Sequence, residues 1–196
     1  MRDKKKQPLR LEGKTVVLEE IAPKFFTYVV EWRNNPELNK YLNQPFILTE
    51  EQEHEWYETV YLKDDTQGLM IMVDKKNGAA FGTCGWTDMD LKEKRCIGGR
   101  ILRGDDSYKG TAVFYESFFV LADYLYQFVD VMYAHVVNDN ISSLRFHEKI
   151  GYTLHPSGFQ YPKERFVNGM EQVEFSRDRE QYFMFRGKMM KKYCGQ

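Results

Sequence analysis

Cys96-Ile97-Gly98-Gly99-Arg100-Ile101-Leu102-Arg103, then Gly104-Asp105-Asp106-Ser107-Tyr108-Lys109-Gly110, then a run from Thr111 to Phe128, then Val131-Met132-Tyr133-Ala134-His135-Val136-Val137: this stretch decides the fold. Residues 96–103 have strand character, and 104–110 form a polar loop. In the run that follows, Phe114, Phe118, Leu121, Leu125 and Phe128 recur at spacings of four, three, four and three, which is a helical stripe. Residues 131–137 are β-branched and aromatic and read as a second strand. Strand, crossover helix and strand make a βαβ unit, with parallel strands and a right-handed crossover.

Such a unit has a natural place for an anion. The first turn of the crossover helix leaves backbone N–H groups unpaired, and its dipole favours negative charge there. Ser107-Tyr108-Lys109-Gly110-Thr111-Ala112 lies at that point. Gly110 lets a phosphate approach the backbone and Ala112 keeps the next turn small, while Lys109 and the Thr111 hydroxyl add contacts. A lone glycine ahead of a helix is weak, and by itself marks only where the helix starts.

The second strand runs into Asn140-x-x-Ser143-x-x-x-His147-Glu148-Lys149-Ile150-Gly151-Tyr152. With this ending, the chain resembles the GNAT superfamily, the acetyl-CoA-dependent N-acetyltransferases. The loop is similar to that family's Gln/Arg-x-x-Gly-x-Gly/Ala pyrophosphate loop, with Ser107 standing where glutamine or arginine is usual. Upstream, Trp32-Arg33-Asn34-Asn35-Pro36-Glu37 and the stretch from Thr49 to Trp56 resemble the lead-in of the ribosomal-protein-acetyltransferase-like branch. That branch also contains enzymes acetylating nucleotide-linked amino sugars. The resemblance spans roughly Thr15 to Tyr152.

It implies an α/β (α+β) fold with a mixed, mainly antiparallel sheet flanked by helices, its parallel pair splayed to admit CoA. It further implies that backbone of Ile101, Leu102 and Arg103 pairs with the pantetheine arm. Tyr108, Lys109, Gly110, Thr111 and Ala112 would hold the phosphates, with Asn140 and Ser143 along the arm. Many members have tyrosine where His147 stands, as proton donor to the departing thiolate, so His147 is the expected catalytic residue. Trp32, Arg33 and Trp56 are the expected acceptor-site residues, under a roof of two short helices.

The rest of the chain fits one domain of 196 residues, with 1–13 expected to be partly mobile and 153–196 a C-terminal elaboration. Residues 14–21 read as the first strand, and Pro23 starts a helix ending near Asn34-Asn35-Pro36. Thr49 with Gln52 is a capping box opening a second helix to about Tyr61. Residues 69–73 (LMIMV) form a buried strand, Lys75-Lys76-Asn77-Gly78 a hairpin turn, and 79–88 the next strand. Gly98-Gly99 is the expected β-bulge that bends the fourth of these strands away from its parallel neighbour. Residues 155–168 read as loop, 171–179 as a charge-dense stretch, and 181–191 (QYFMFRGKMMK) as the last strand.

A net charge of −1 with signs interspersed argues against a nucleic-acid binder. The basic cluster at residues 2–6 reads as a solvated terminus. Cys84, Cys96 and Cys194 have no metal spacing and suggest a reducing, cytoplasmic compartment, and no run is apolar enough for a membrane span. The 13 tyrosines and 14 phenylalanines fit either a homodimer interface or an aromatic-lined pocket, and the sequence does not choose. Asn140, Ser143 and His147, spaced three and four apart, share one helical face, with Asn140 as N-cap. Asp88, Asp90, Glu55 and Glu31 are the candidate general bases, and His54 reads as structural. Asp105 and Asp106 must point to solvent if the loop is to take phosphate. Together these features predict transfer of acetyl from acetyl-CoA to a primary amine without a metal, the acceptor being a nucleotide-linked amino sugar or a protein N-terminus. The alternative is a CoA-binding sensor that has lost catalysis.

Overall fold

The structure, a computed structural model, describes residues 3–154 and 169–195. The loop expected at 155–168 lies outside them. The strands are β1 (Arg10–Glu12), β2 (Val16–Glu20), β3 (Gly68–Asp74), β4 (Ala80–Asp90), β5 (Arg95–Arg103), β6 (Val131–Val137), β7 (Thr153–Leu154) and β8 (Gln172–Asp178). The helices are α1 (Phe26–Asn34), α2 (Pro36–Asn39), α3 (Glu50–Thr59), α4 (Ala112–Leu125), α5 (Ile141–Lys149) and α6 (Arg179–Cys194). They surround one mixed sheet of order β1-β2-β3-β4-β5-β6-β8-β7, in which β5 and β6 are the parallel pair.

Both faces of the sheet are covered, and β3 shows why its sequence is apolar throughout. Met70 and Met72 join the larger core beneath α4 and α6, while Leu69 and Ile71 join the smaller core beneath α1 and α3. The crossover helix obeys its stripe: Phe114, Phe118, Leu121 and Leu125 are buried, with Phe128 exposed just beyond the last turn. Much of the aromatic surplus is spent in these cores, since Tyr61, Tyr126, Tyr182, Phe81, Phe119 and Phe175 are fully buried.

The capping expectations are met. The Thr49 hydroxyl accepts from the Gln52 N–H, and the Gln52 side chain accepts from the Thr49 N–H. Gly78 takes the positive φ that closes the β3–β4 hairpin. Gly82 and Gly85 permit close approach: a Cβ on Gly82 would lie 2.3 Å from the Leu102 carbonyl, and one on Gly85 2.1 Å from that of Gly68.

Two expectations are corrected at the ends of the chain. Residues 179–194 are helix α6 rather than the last strand. The Asp178 carboxylate caps it by accepting from the Gln181 N–H, and Gly195 ends it in the left-handed conformation. The last strand is the charge-dense stretch, β8, antiparallel to β6 along all of Val131–Val137. Its charge is accommodated by pairing: Glu174 meets His135 at 3.0 Å on the adjacent strand.

The N-terminal basic cluster is not simply solvated. Lys4 is buried, its Nζ donating to the carbonyls of Tyr61 (3.0 Å), Asp64 (2.6 Å) and Gln67 (2.9 Å) and lying 4.1 Å from the Tyr61 ring centroid. Lys4→Met leaves three inward carbonyls without this donor. It should cost about 2 kcal/mol and roughly 5 °C in Tm. A thermal melt superimposable on wild type would contradict this anchoring role.

Candidate active site

The site begins with a failure of strand pairing. β5 and β6 pair at three positions only, Arg95↔Val131, Cys96↔Met132 and Ile97↔Tyr133. Beyond Ile97, β5 stays with β4 and β6 stays with β8, so the two part in a wedge. Along 98–103, backbone groups that would have paired with β6 face the gap.

A bulge drives this divergence. Gly85 pairs with Gly99 and Thr83 with Leu102, so Arg100 and Ile101 together oppose Cys84. The bulge expected at Gly98-Gly99 thus lies two residues further on, at Arg100-Ile101. Gly98 serves space instead, since a Cβ there would lie 3.0 Å from Met132 Cε and 3.1 Å from the Tyr152 hydroxyl, whereas one on Gly99 would meet nothing within 4 Å. The left-handed backbone falls on Arg100 (φ 54°), whose carbonyl accepts from Thr83 Oγ1 at 2.6 Å. A non-glycine residue held there is a strained position maintained by its surroundings.

On one side of β5 the wedge opens into a groove of about 1630 Å³, measured out to its solvent mouth. Ile101, Leu102, Arg103, Lys109, Gly110, Asn140 and Ser143, all expected along the cofactor, line it. Gly110 has φ 73° with open space where a Cβ would be, and the Thr111 hydroxyl caps α4 by accepting from the Phe114 N–H. The groove wall also carries Arg145 and Lys149, four apart on α5, which the sequence reading missed. Four cationic side chains (Arg103, Lys109, Arg145, Lys149) thus face one acidic one (Glu37). Asp105 and Asp106 stay out of the groove: Asp105 accepts from the Ser107 N–H, and the exposed Asp106 grips Arg103 at 2.7 Å. Across the mouth, the Tyr41 hydroxyl donates to the Asp139 carbonyl at 3.1 Å.

Several expected residues sit elsewhere, among them Thr111, which caps α4 without lining the groove. Tyr108 turns inward, stacked on Phe81 with its hydroxyl 3.1 Å from Asp74, and Ala112 is exposed outside the groove wall. Trp32 packs against Gly104, where a Cβ would come within 2.1 Å of the indole, so it secures the β5–α4 loop rather than facing an acceptor.

On the other side of β5 lies a second hollow of about 740 Å³, walled by Arg33, Trp56, Thr83, Arg100, Ile101 and Leu102 among others. Arg33 and Trp56 were expected here and Arg100 was not. Behind Arg33, Glu53 is 1% exposed and lies 3.7 Å from its guanidinium. Burial pushes the Glu53 carboxyl above its usual range, and Arg33 and Arg100 partly offset this. None of the four candidate general bases lines the hollow.

His147 is 4% exposed and faces neither the groove nor the acceptor hollow. It borders a smaller hollow under the wedge with Gly98, Tyr152 and Arg177, stacked on Phe175 at 5.7 Å. Its Nδ1 lies 2.8 Å from the Ser143 carbonyl, which can only accept, so Nδ1 carries the proton. Burial, with Arg177 nearby, pulls its pKa down to about 4 against the raising effect of that bond. At neutral pH its one N–H is therefore committed to the backbone, which opposes the donor role expected from the sequence. Asn140 caps α5 as expected, its Oδ1 accepting from the Ser143 N–H at 3.1 Å.

A splayed parallel pair, a cationic groove on a helix N-terminus and a second hollow behind the bulge together describe an acyl-CoA transferase fold. The family model for the acetyltransferase (GNAT) domain matches residues 16–153, and the chain belongs to that family. No curated protein matches the sequence. Among solved structures, a GCN5-related N-acetyltransferase from Brucella melitensis superposes with a TM-score of 0.77 at 17% identity, covering 93% of this chain and 84% of that one. FdhC, described as a nucleotide-linked sugar GNAT, gives 0.72 at 15% identity, covering 93% and 97%. The spermidine N-acetyltransferase of Vibrio cholerae, solved with CoA and spermine, gives 0.72 at 14% identity, covering 87% and 99%. The family is one of acetyl-CoA-dependent acyltransferases. Among the described residues, no helix is long and apolar enough to cross a membrane.

Proposed function

We propose that this chain transfers the acetyl group of acetyl-CoA directly to a primary amine of a small molecule. One observation carries the reading: the cofactor groove and the acceptor hollow lie on opposite sides of β5 and share the wall formed by Ile101 and Leu102. Two substrates held in these hollows meet there, and no covalent enzyme intermediate is needed.

The residues present fit acetyl-CoA. The first-turn N–H groups of α4 and the cations Lys109, Arg145 and Lys149 suit its phosphates. Open backbone of 101–103 and the Asn140 and Ser143 side chains suit the amides of its arm. The cofactor supplies an activated acetyl thioester. Backbone N–H groups along the bulge supply fixed dipoles where charge develops on the acetyl oxygen. His147 stays neutral in the small hollow under the wedge, and water accepts the proton that the amine loses and supplies one to the departing thiolate.

The acceptor hollow is of small-molecule size. The motifs that suggested the ribosomal-protein-acetyltransferase-like branch are spent on building the roof. Asn34 holds Leu48 by its N–H and its carbonyl, Asn35 caps α2, and Thr49 caps α3. They support this architecture without naming an acceptor. Two of the three neighbours are described by unlike compounds, a nucleotide-linked sugar and spermidine.

The test is thiol release from acetyl-CoA by the full chain across a panel of primary amines. Amine-dependent release, with acetylated product seen by mass spectrometry, is the expected result. Saturable acetyl-CoA binding with no turnover on any amine would instead favour a CoA-binding sensor.

A further inference from the structure

The acceptor hollow has an unbalanced charge. Its wall includes two guanidinium groups, Arg33 and Arg100, and no aspartate or glutamate. Arg33 has one carboxylate neighbour, Glu53, at 3.7 Å, and Glu53 Oε1 is itself buried without a hydrogen-bond partner. Arg100 forms no ion pair among the described residues. Its guanidinium lies 5.7 Å from the Trp56 ring centroid and donates to the neutral Gln67 amide oxygen. Its Nε is buried with no hydrogen-bond partner. The strained bulge is what carries this side chain into the hollow.

Two half-buried guanidiniums sharing one buried carboxylate leave a net positive charge partly withdrawn from water, which is unfavourable unless something completes it. A planar fork with free donors suits a carboxylate or a phosphate oxygen pair. A polycation would meet like charge on entering and find no acid on the wall.

We propose that the acceptor is an anionic amine, whose carboxylate or phosphate is held by Arg33 and Arg100 while its amino group reaches the Ile101–Leu102 wall. This deepens the transferase reading and rests on it. The anion acts as a handle: it fixes the orientation of the molecule, and Trp56 offers an aromatic face for its body.

Matched pairs test the idea and separate the two sources of charge. One pair is glucosamine 6-phosphate with glucosamine, the other an α-amino acid with its amide, and spermidine is the cationic probe. Each is measured with the full chain for kcat/KM and for thermal shift in the presence of CoA. At least one anionic member should exceed its neutral partner by at least about 30-fold in kcat/KM, the scale for pairing a charge with a buried partner. That ratio should collapse towards one in Arg100→Gln and in Arg33→Gln, made separately and each confirmed folded by acetyl-CoA titration. Turnover of neutral amines or spermidine at least as good as that of every anionic amine would overturn the proposal and leave the transferase reading intact. So would a preference that survives both variants. Binding of an anionic member that depends on Arg100, with no turnover, would uphold the anion site and sink the transferase reading. Failure of both anionic compounds to bind or react would overturn the proposal.

Discussion

Gly110→Glu should abolish acetyl-CoA binding and leave the fold standing. Gly110 sits at φ 73°, immediately before the Thr111 cap of α4, and nothing lies within 4 Å of where its Cβ would be. A side chain there displaces no neighbour, so the structural cost is confined to the left-handed backbone, about 1 kcal/mol. The functional cost is larger. A carboxylate would occupy the approach to the first-turn N–H groups that the phosphates need, and would repel them at close range. Calorimetric titration should show Kd rising at least ~100-fold, equivalent to nearly 3 kcal/mol. Gly110→Ala carries only the backbone penalty and should lose no more than about 10-fold. If Gly110→Glu titrates like wild type, the phosphates do not bind at this loop.

His147→Phe should separate structure from chemistry. The folded pKa of His147 is about 4 against an ordinary value of 6.5. Above pH 6.5 the imidazole is neutral in both folded and unfolded chains, and its contribution to stability is fully present. As pH falls from 6.5 towards 4, the unfolded chain binds a proton that the folded chain refuses, and stability is lost. Below about 4 both are protonated and the loss stops. The whole window amounts to about 3 kcal/mol. Phenylalanine can keep the stack on Phe175 without titrating. Urea unfolding at pH 7.5 and 4.5 should therefore show wild type losing about 2–3 kcal/mol more than the variant. Parallel losses would contradict the buried, neutral histidine. At pH 7.5 the variant should keep kcat within about 10-fold of wild type, because the imidazole donates no proton. A loss of ~10²–10⁴ would restore His147 as the proton donor.

These two residues also show what the chain discloses by its order. Gly110 was legible because a helix start is a local event: loop glycine, capping threonine and helical stripe lie together. The role of His147 was not, although its position was. Its burial depends on Phe175 and Arg177 of β8, which are distant from it in sequence. The same division runs through the fold. The βαβ unit, the β3–β4 hairpin and the capping box follow from neighbours in sequence. The C-terminal helix was misread because QYFMF alternates over five residues, which imitates a strand. The longer record was helical, with Tyr182, Met189, Met190 and Cys194 forming its buried side. Charged β8 looked unlike a strand because its acid and base are answered from elsewhere, Glu174 by His135 and Arg177 by the Ile150 carbonyl and the Tyr126 ring.

The acceptor side was the least legible. Arg100 reads as an ordinary charged strand residue, and only the bulge, set by how β4 and β5 pair, directs it into the hollow. Glu53 was hidden among the five glutamates between Glu50 and Glu58, and its burial is evident only once α3 lies over Arg33. Lys4 likewise looked like one more basic residue of a terminus until three carbonyls converged on it.

The most direct test is a crystal structure of the chain with CoA bound. The arm should run between β5 and β6 against residues 101–103, with the pyrophosphate on the loop at Gly110 and the thiol beside Ile101 and Leu102, open to the hollow that holds Arg33 and Arg100. CoA bound at any other surface, or a wedge between β5 and β6 left empty at saturating CoA, would contradict the assignment of groove, hollow and reaction point together.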